Sequence, residues 1–171
     1  MKKLAALIGV AAALALVPAQ ASALDLTAGV FPNDEFAALG SSGDPFAVGG
    51  GVTGVTRTHF AFAAHLGPKG PSGYAVVTTT VLGGGEAQGH VVCFLNPAPQ
   101  EAEFGILIEK ASGFFTFAEF QFVTFLVLDN GEPSPGAIPD GLSIFAGATP
   151  CRTDTPVGGG PVDQGNIVVK G

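Results

Sequence analysis

The segment DNGEPSPGAIPD places three carboxylates, Asp129, Glu132 and Asp140, within twelve residues. Calcium binds about six to eight oxygens, which carboxylates and loop carbonyls commonly supply. The segment departs from the EF-hand pattern because Gly131 occupies what would be its third position. Asn130-Gly131 favours a turn with positive φ, and an Asp side chain readily bonds its own backbone two residues on. The segment is therefore either a calcium site or a structural turn, and its turn chemistry favours the turn.

Glu119 is a second candidate, because it lies among the phenylalanines of FFTFAEFQF. A carboxyl group in an apolar pocket has a raised pKa and can act as a general acid. Glycoside hydrolysis needs a second carboxylate about 5–10 Å away, which Glu103 or Glu109 would supply from a neighbouring strand. The alternative is that Glu119 and Gln121 form the solvent-facing side of an amphipathic strand, and the alternation favours this interpretation.

The histidines and the glycine-rich segment give weaker signals. His59 and His65 lie six residues apart, about 20 Å along an extended strand, which is too far to bind one metal ion. His90 adds no third ligand. GGGVTG, from Gly49 to Gly54, matches G-x-G-x-x-G, but a strand-like stretch follows it instead of the helix that a dinucleotide site needs. Calcium at the candidate loop is thus the one cofactor that the sequence suggests.

The first 23 residues have the pattern of a secretory signal peptide. Lys2 and Lys3 precede an apolar run over residues 4–17, and Ala21-Ser22-Ala23 forms an A-x-A cleavage signal. The run is shorter than the about 20 residues of a membrane-spanning helix, so no membrane insertion is expected after cleavage. The sequence predicts a secreted protein, extracellular or periplasmic.

Export also affects charge and cysteine chemistry. Without Lys2 and Lys3, 5 Lys+Arg stand against 14 Asp+Glu, a net charge of −9. Such a surface repels phosphate backbones, so nucleic-acid binding is not expected. Cys93 and Cys151 are the only cysteines, and an oxidising compartment favours a disulfide between them. Free thiols for redox chemistry or metal are the alternative, although neither cysteine lies in a C-x-x-C motif.

Residues 24–43 show no sustained period and are interpreted as a loosely ordered lead-in, and residues 44–171 as a single all-β domain. About eight short β-rich runs end at Gly, Pro or Asn, which predicts an antiparallel meander that forms a sandwich or a closed barrel. FFTFAEFQFVTFLVL is interpreted as one long strand with a bulge or bend near Val123. The predicted core residues are Phe60, Phe62, Ala64, Leu66, Phe104, Ile106, Ile108, Leu142, Ile144, Ile167 and Val169.

The series GGGV, THFAFAA, GHVVC, FGILI, LVLDNGEP, PDGLSI and QGNIVVKG resembles the small exported bacterial domains catalogued as post-COAP domains. The resemblance runs from about Gly49 to the C-terminus, and its most specific parts are residues 129–133, Asp140 and residues 165–167. The chain departs from the family in its longer Phe-rich run and at Ala63, where a polar residue is common. The resemblance implies a secreted all-β domain and no established activity.

These observations predict a non-catalytic secreted β-domain with an interaction, adhesion or structural role in the cell envelope or extracellular space. The first alternative is a β-barrel that binds a small apolar ligand, since an eight-stranded barrel can hold one molecule and Phe-rich strands would suit its lining. A weaker alternative is a glycoside-type hydrolase that uses Glu119. A cavity would favour the second function over the first. The partner is thus either an unknown protein or a small apolar ligand.

Overall fold

Eight antiparallel strands close into a barrel in which each strand pairs with its neighbour in the sequence and β8 pairs with β1. A computed structural model describes residues 43–54, 57–132, 134–151 and 160–171. The predicted signal peptide over residues 1–23 and nearly all of the predicted lead-in over residues 24–43 lie outside the described residues. The strands are β1 (Phe46–Thr53), β2 (Thr58–Gly67), β3 (Gly70–Thr79), β4 (Gly85–Ala98), β5 (Glu101–Gly113), β6 (Phe122–Leu128), β7 (Gly141–Gly147) and β8 (Gly160–Lys170).

The prediction of an antiparallel all-β meander is confirmed, and of the two architectures it left open the chain adopts the closed barrel. The connections follow the predicted punctuation, with glycines at positive φ such as Gly70 and Gly131. Two short 3-10 turns lie between strands: Val81–Gly83 in the β3–β4 connection and Phe114–Thr116 in the β5–β6 connection. In the part of the chain that is described, no helix has the length and apolar character needed to cross a bilayer.

Phenylalanine rings fill the barrel interior. The rings of Phe104 and Phe125 stack with centroids 4.9 Å apart, and Phe62 lies 4.9 Å from Phe104 and 6.1 Å from Phe125. Gly49 leaves room for this cluster, since a Cβ there would lie 2.8 Å from Cζ of Phe62. Such close packing makes this part of the interior rigid and free of space for a ligand.

Most of the predicted core is confirmed. Eight of the eleven predicted side chains are buried, and Ile108 and Ile144 are partly buried against them. The prediction for Leu66 is wrong. Its side chain is 36% exposed, because it lies at the end of β2, beside the turn to β3. The alternation of the strand continues to this position, but the barrel interior does not.

The Phe-rich run is not one long strand. β5 ends at Gly113, residues 114–121 form a connection, and β6 begins at Phe122. The N–H of Phe120 donates a hydrogen bond of 2.9 Å to the carbonyl of Phe117, which closes a turn with Glu119 near its tip. The sequence predicts that the apolar side chains switch from one face of the strand to the other near Val123. This switch comes from a complete reversal of the chain direction, and not from a bulge.

Cys93 on β4 and Cys151 form a disulfide, with their Cα atoms 6.1 Å apart. The segment after β7 crosses the outer face of β5 to reach this bond. Gly105 lies under the crossing, because a Cβ there would be 2.7 Å from Sγ of Cys93 and 2.9 Å from Cβ of Pro150. A glycine at this position thus allows the crossing segment to lie directly against the strand.

Candidate functional site: an apolar cavity at the open end of the barrel

The barrel has two different ends. At the first, which we call the closed end, the turns β2–β3 and β4–β5 and the long β6–β7 loop over residues 129–140 connect the strands. At the other, which we call the open end, the connections are β1–β2, β3–β4 and β5–β6. The candidate calcium ligands lie at the closed end, and a cavity lies at the open end.

Carboxylates complete the seam of the barrel beside β8. Within the described residues, the ladder between β7 and β8 contains two residue pairs, Gly141 with Pro161 and Leu142 with Gly160. Farther along β8, the carboxylates of Asp140 and Asp129 accept backbone N–H bonds in place of strand carbonyls. The acceptor for the N–H of Ile167 is Oδ2 of Asp140 at 2.7 Å, and the acceptor for that of Val169 is Oδ2 of Asp129 at 2.9 Å.

The other oxygen of each carboxylate shapes the loop itself. Oδ1 of Asp140 accepts the N–H of Asn130 at 2.9 Å, and Oδ1 of Asp129 accepts the N–H of Gly131 at 2.8 Å. Gly131 has φ +93°, as the Asn-Gly turn signal predicts. All four oxygens therefore bind the backbone, Asp140 is only 6% exposed, and Glu132 is exposed to solvent. This geometry supports the turn interpretation of the segment.

The calcium hypothesis still has a direct test. We expect the melting midpoint in EDTA to remain unchanged in millimolar calcium, because a calcium ion would compete with these N–H groups for the same oxygens. Across the described residues, no group of three or more His, Cys, Asp or Glu side chains is placed to hold a metal ion. A ligand at a hundred times its Kd adds about 2.7 kcal/mol of stability. A rise in the midpoint that Asp129→Ala abolishes would instead establish a calcium site.

A cavity of about 480 Å³ lies at the open end. This volume is within the range of about 300–1,000 Å³ that is typical of small-molecule sites. Its walls come from five of the strands, β1, β2, β3, β7 and β8, and from both 3-10 turns. The lining residues are Thr53, Thr58, Val77, Thr79, Val81, Phe114, Phe115, Leu142, Ile144, Phe145, Ala146, Gly160 and Pro161.

The cavity exists because side-chain size changes along the strands. Toward the closed end, the inward positions of β2, β5 and β6 carry Phe62, Phe104 and Phe125, which fill the cross-section. Toward the open end, the inward positions of β1, β2 and β3 carry threonine and valine, which do not reach across it. An eight-stranded barrel has an interior just wide enough to be filled by large side chains or to hold one small ligand. Here one half is filled and the other is not.

Exposed apolar side chains mark the entrance. Val81 and Phe145 line the cavity and are 39% and 43% exposed. Phe117, which is 52% exposed, packs edge-on against Phe114 with centroids 5.6 Å apart. The cavity therefore has exposed apolar side chains at its entrance, which an apolar molecule could contact as it enters.

The carboxylates proposed for hydrolysis are not brought into the cavity. Glu119 is exposed near the tip of the β5–β6 connection and is not among the lining residues. Glu103 is buried on β5, on the face opposite to its inward-facing neighbours Ala102 and Phe104. Glu109 accepts a 2.7 Å hydrogen bond from Nδ1 of His90 on the exposed surface. None of the three lines the cavity.

The histidines lie on the outer surface, as predicted. Nε2 of His65 is 2.7 Å from Oγ of Ser72, and the ring of His90 contacts Tyr74 edge-on at 5.2 Å. Burial raises the pKa of Tyr74, and the negative charges of Glu109 and Glu86 raise it further. The glycines of GGGVTG belong to β1 and to the turn after it, and no helix begins there within the described residues.

Sequence reasoning missed the cavity residues. The relevant signal is the presence of small inward-facing residues at one end of several strands. It can be recognised only when the pairing register of the strands is known. The chain matches no protein-family model, no curated protein and no solved structure. The resemblance to post-COAP domains accordingly stays a prediction.

Proposed function

We propose that the protein is an exported, non-catalytic domain that binds a small apolar molecule in the cavity at the open end of the barrel. The observation that carries this proposal is the cavity itself, which has a volume of about 480 Å³ and a mainly apolar lining. A purely structural or adhesive barrel has no need of such a space, and filling it with larger side chains would add stability. The unfilled half of the interior is therefore the feature that ligand binding explains.

Two further observations support the proposal. The closed end is packed with phenylalanine rings, which limit how deeply a ligand in the cavity can lie. The carboxylates that a glycoside hydrolase would use lie outside the cavity, which favours binding over hydrolysis. Export is supported by the signal-like N-terminus and by the disulfide, which an oxidising compartment maintains.

Filling the cavity tests the proposal. We expect the oxidised protein to bind the neutral dye Nile red with a blue shift of its fluorescence, and Ala146→Phe to weaken this binding at least about tenfold. Ala146 lines the cavity and is partly buried against the core, so a phenyl ring there would occupy the space of the ligand. A fluorescence titration gives both dissociation constants.

Ala137→Phe is the matched control, since Ala137 is exposed in the loop at the closed end. It adds the same ring to the surface and should leave the affinity for Nile red unchanged. Equal binding by all three proteins, or equal loss in both variants, would show that the dye binds elsewhere. Urea unfolding of each variant verifies that the comparison is made between folded proteins.

A further inference from the structure

We infer that the ligand of this cavity is an uncharged molecule with an apolar body and one oxygen that accepts a hydrogen bond from Thr79. The inference rests on the proposed function and names the ligand class. It comes from an uneven distribution of polar groups in the lining. Hydroxyl groups occur on one wall, formed by Thr53, Thr58 and Thr79, while the other side chains of the lining are aliphatic or aromatic.

The three threonines are buried, and Thr79 receives two hydrogen bonds. The hydroxyl of Thr58 donates to Oγ1 of Thr79 at 3.2 Å, and the N–H of Val81 donates to the same oxygen at 3.3 Å. Bonds between hydroxyl groups usually measure about 2.7–2.8 Å, and bonds from an N–H to an oxygen about 2.9–3.0 Å. Both bonds are therefore longer than usual, and in both of them Thr79 is the acceptor.

As bonded here, Thr79 accepts twice and donates to no other group. A threonine hydroxyl has one proton and two acceptor positions, so the proton of Thr79 is available for an acceptor inside the cavity. A carbonyl, ether or hydroxyl oxygen of a ligand would take it. Because Thr79 is only 6% exposed and lies among apolar side chains, a bond from its hydroxyl to a ligand oxygen is stronger than the same bond in water.

The charges of the protein disfavour an anionic ligand in the cavity. In the described part of the chain, the lining includes no Lys, Arg, Asp or Glu side chain, so a carboxylate would lose its water without finding a counter-ion. The net charge of −7 for the whole sequence repels anions further. A neutral ketone, ester or alcohol fits the cavity better than a fatty-acid anion of the same size.

The apolar part of the lining accepts a flat or ring-shaped body. The rings of Phe114 and Phe115 contact each other edge-on, with their planes at 72° and their centroids 5.4 Å apart, and Val77 and Leu142 lie in the same lining. The lining thus contains two aromatic rings at different orientations. An aromatic ligand can stack on one ring and contact the other edge-on, and both arrangements are favourable. A bicyclic aromatic ring system is therefore a suitable probe.

Three probes that share one ring system separate the contributions of the ring, the oxygen and the charge to binding. They are naphthalene, 2-acetylnaphthalene and 2-naphthoate. We expect calorimetric titration to show that the ketone binds about threefold to tenfold more tightly than the hydrocarbon, the value of one net hydrogen bond. The carboxylate should bind at least about tenfold more weakly than the ketone, because its charge is left unpaired.

The matched variants are Thr79→Val, which removes the inward hydroxyl, and Thr78→Val, which removes the neighbouring hydroxyl on the same strand. Thr79→Val should bring the ketone to the affinity of naphthalene and leave naphthalene unchanged, and Thr78→Val should change neither. Equal affinity for ketone and hydrocarbon in the unmodified protein, or tightest binding of the carboxylate, would overturn the inference while leaving the proposed function intact. Binding of none of the three would contradict the proposed function and the inference with it.

Discussion

Asp140→Ala is expected to lower the free energy of unfolding by about 4 kcal/mol, because it removes the acceptor for two backbone N–H groups at the seam of the barrel. Hydrogen bonds to a charged acceptor contribute about 1.5–3 kcal/mol each. The N–H of Ile167 lies in the core, where water does not replace the lost acceptor. Urea unfolding at equilibrium, followed by far-UV circular dichroism, measures the loss.

Asp140→Asn separates charge from shape. The amide keeps the size of the side chain and one acceptor oxygen, but its NH₂ group would face the second N–H donor. We therefore expect about half of the loss that alanine causes. Glu132→Ala is the control in the same loop, because Glu132 is exposed, and its effect should stay within about 0.5 kcal/mol.

If Asp140→Ala cost no more than Glu132→Ala, the carboxylate would not be closing the barrel. A fall in the denaturant slope m together with the midpoint would have a different meaning, namely that the variant no longer unfolds as one cooperative unit. The expected result is a lower midpoint with unchanged m, since the seam is one part of a single barrel.

The positions of the strands could be predicted from the sequence because their signals are local. Alternation placed Phe60 and Phe62 on one face, and glycines and prolines marked most of the turns, although not the reversal over residues 114–121. The choice between sandwich and barrel could not be predicted in the same way. It depends on the bonds from Asp140 to Ile167 and from Asp129 to Val169, which join residues 27 and 40 positions apart. No local sequence pattern indicates a hydrogen bond between residues so far apart in the chain.

The candidate site was less predictable for a related reason. Asp129 and Asp140 stood out because three carboxylates lie within twelve residues, but the same residue types bind metal ions and backbone N–H groups equally well. The phenylalanines suggested a lined cavity, yet Phe62, Phe104 and Phe125 fill the closed half. An empty space is a property of summed side-chain volumes across several strands, so no single motif encodes it.

Removal of the disulfide is the second large effect that we expect. Cys93 and Cys151 are 58 residues apart in the sequence, and opening a loop of that length should lower the free energy of unfolding by about 4 kcal/mol. Cys93→Ala/Cys151→Ala, compared with the oxidised protein by urea unfolding, measures this. Each single alanine variant should lose as much as the double variant, since either one abolishes the bond. A markedly larger loss in one of them would point to packing of that side chain instead.

The same variants distinguish an effect on the unfolded chain from an effect on the cavity. If the disulfide acts by restricting the unfolded chain, the folded double variant keeps the affinity of the oxidised protein for Nile red, and this is the result that we expect. The reason is structural: the bond lies on the outer face of β4, and neither cysteine lines the cavity. However, the segment that it anchors begins directly after β7, which carries Ile144 and Ala146 in the cavity wall. A weaker affinity at full folding would therefore mean that the anchored segment holds this wall in place, and that reduction of the bond releases the ligand.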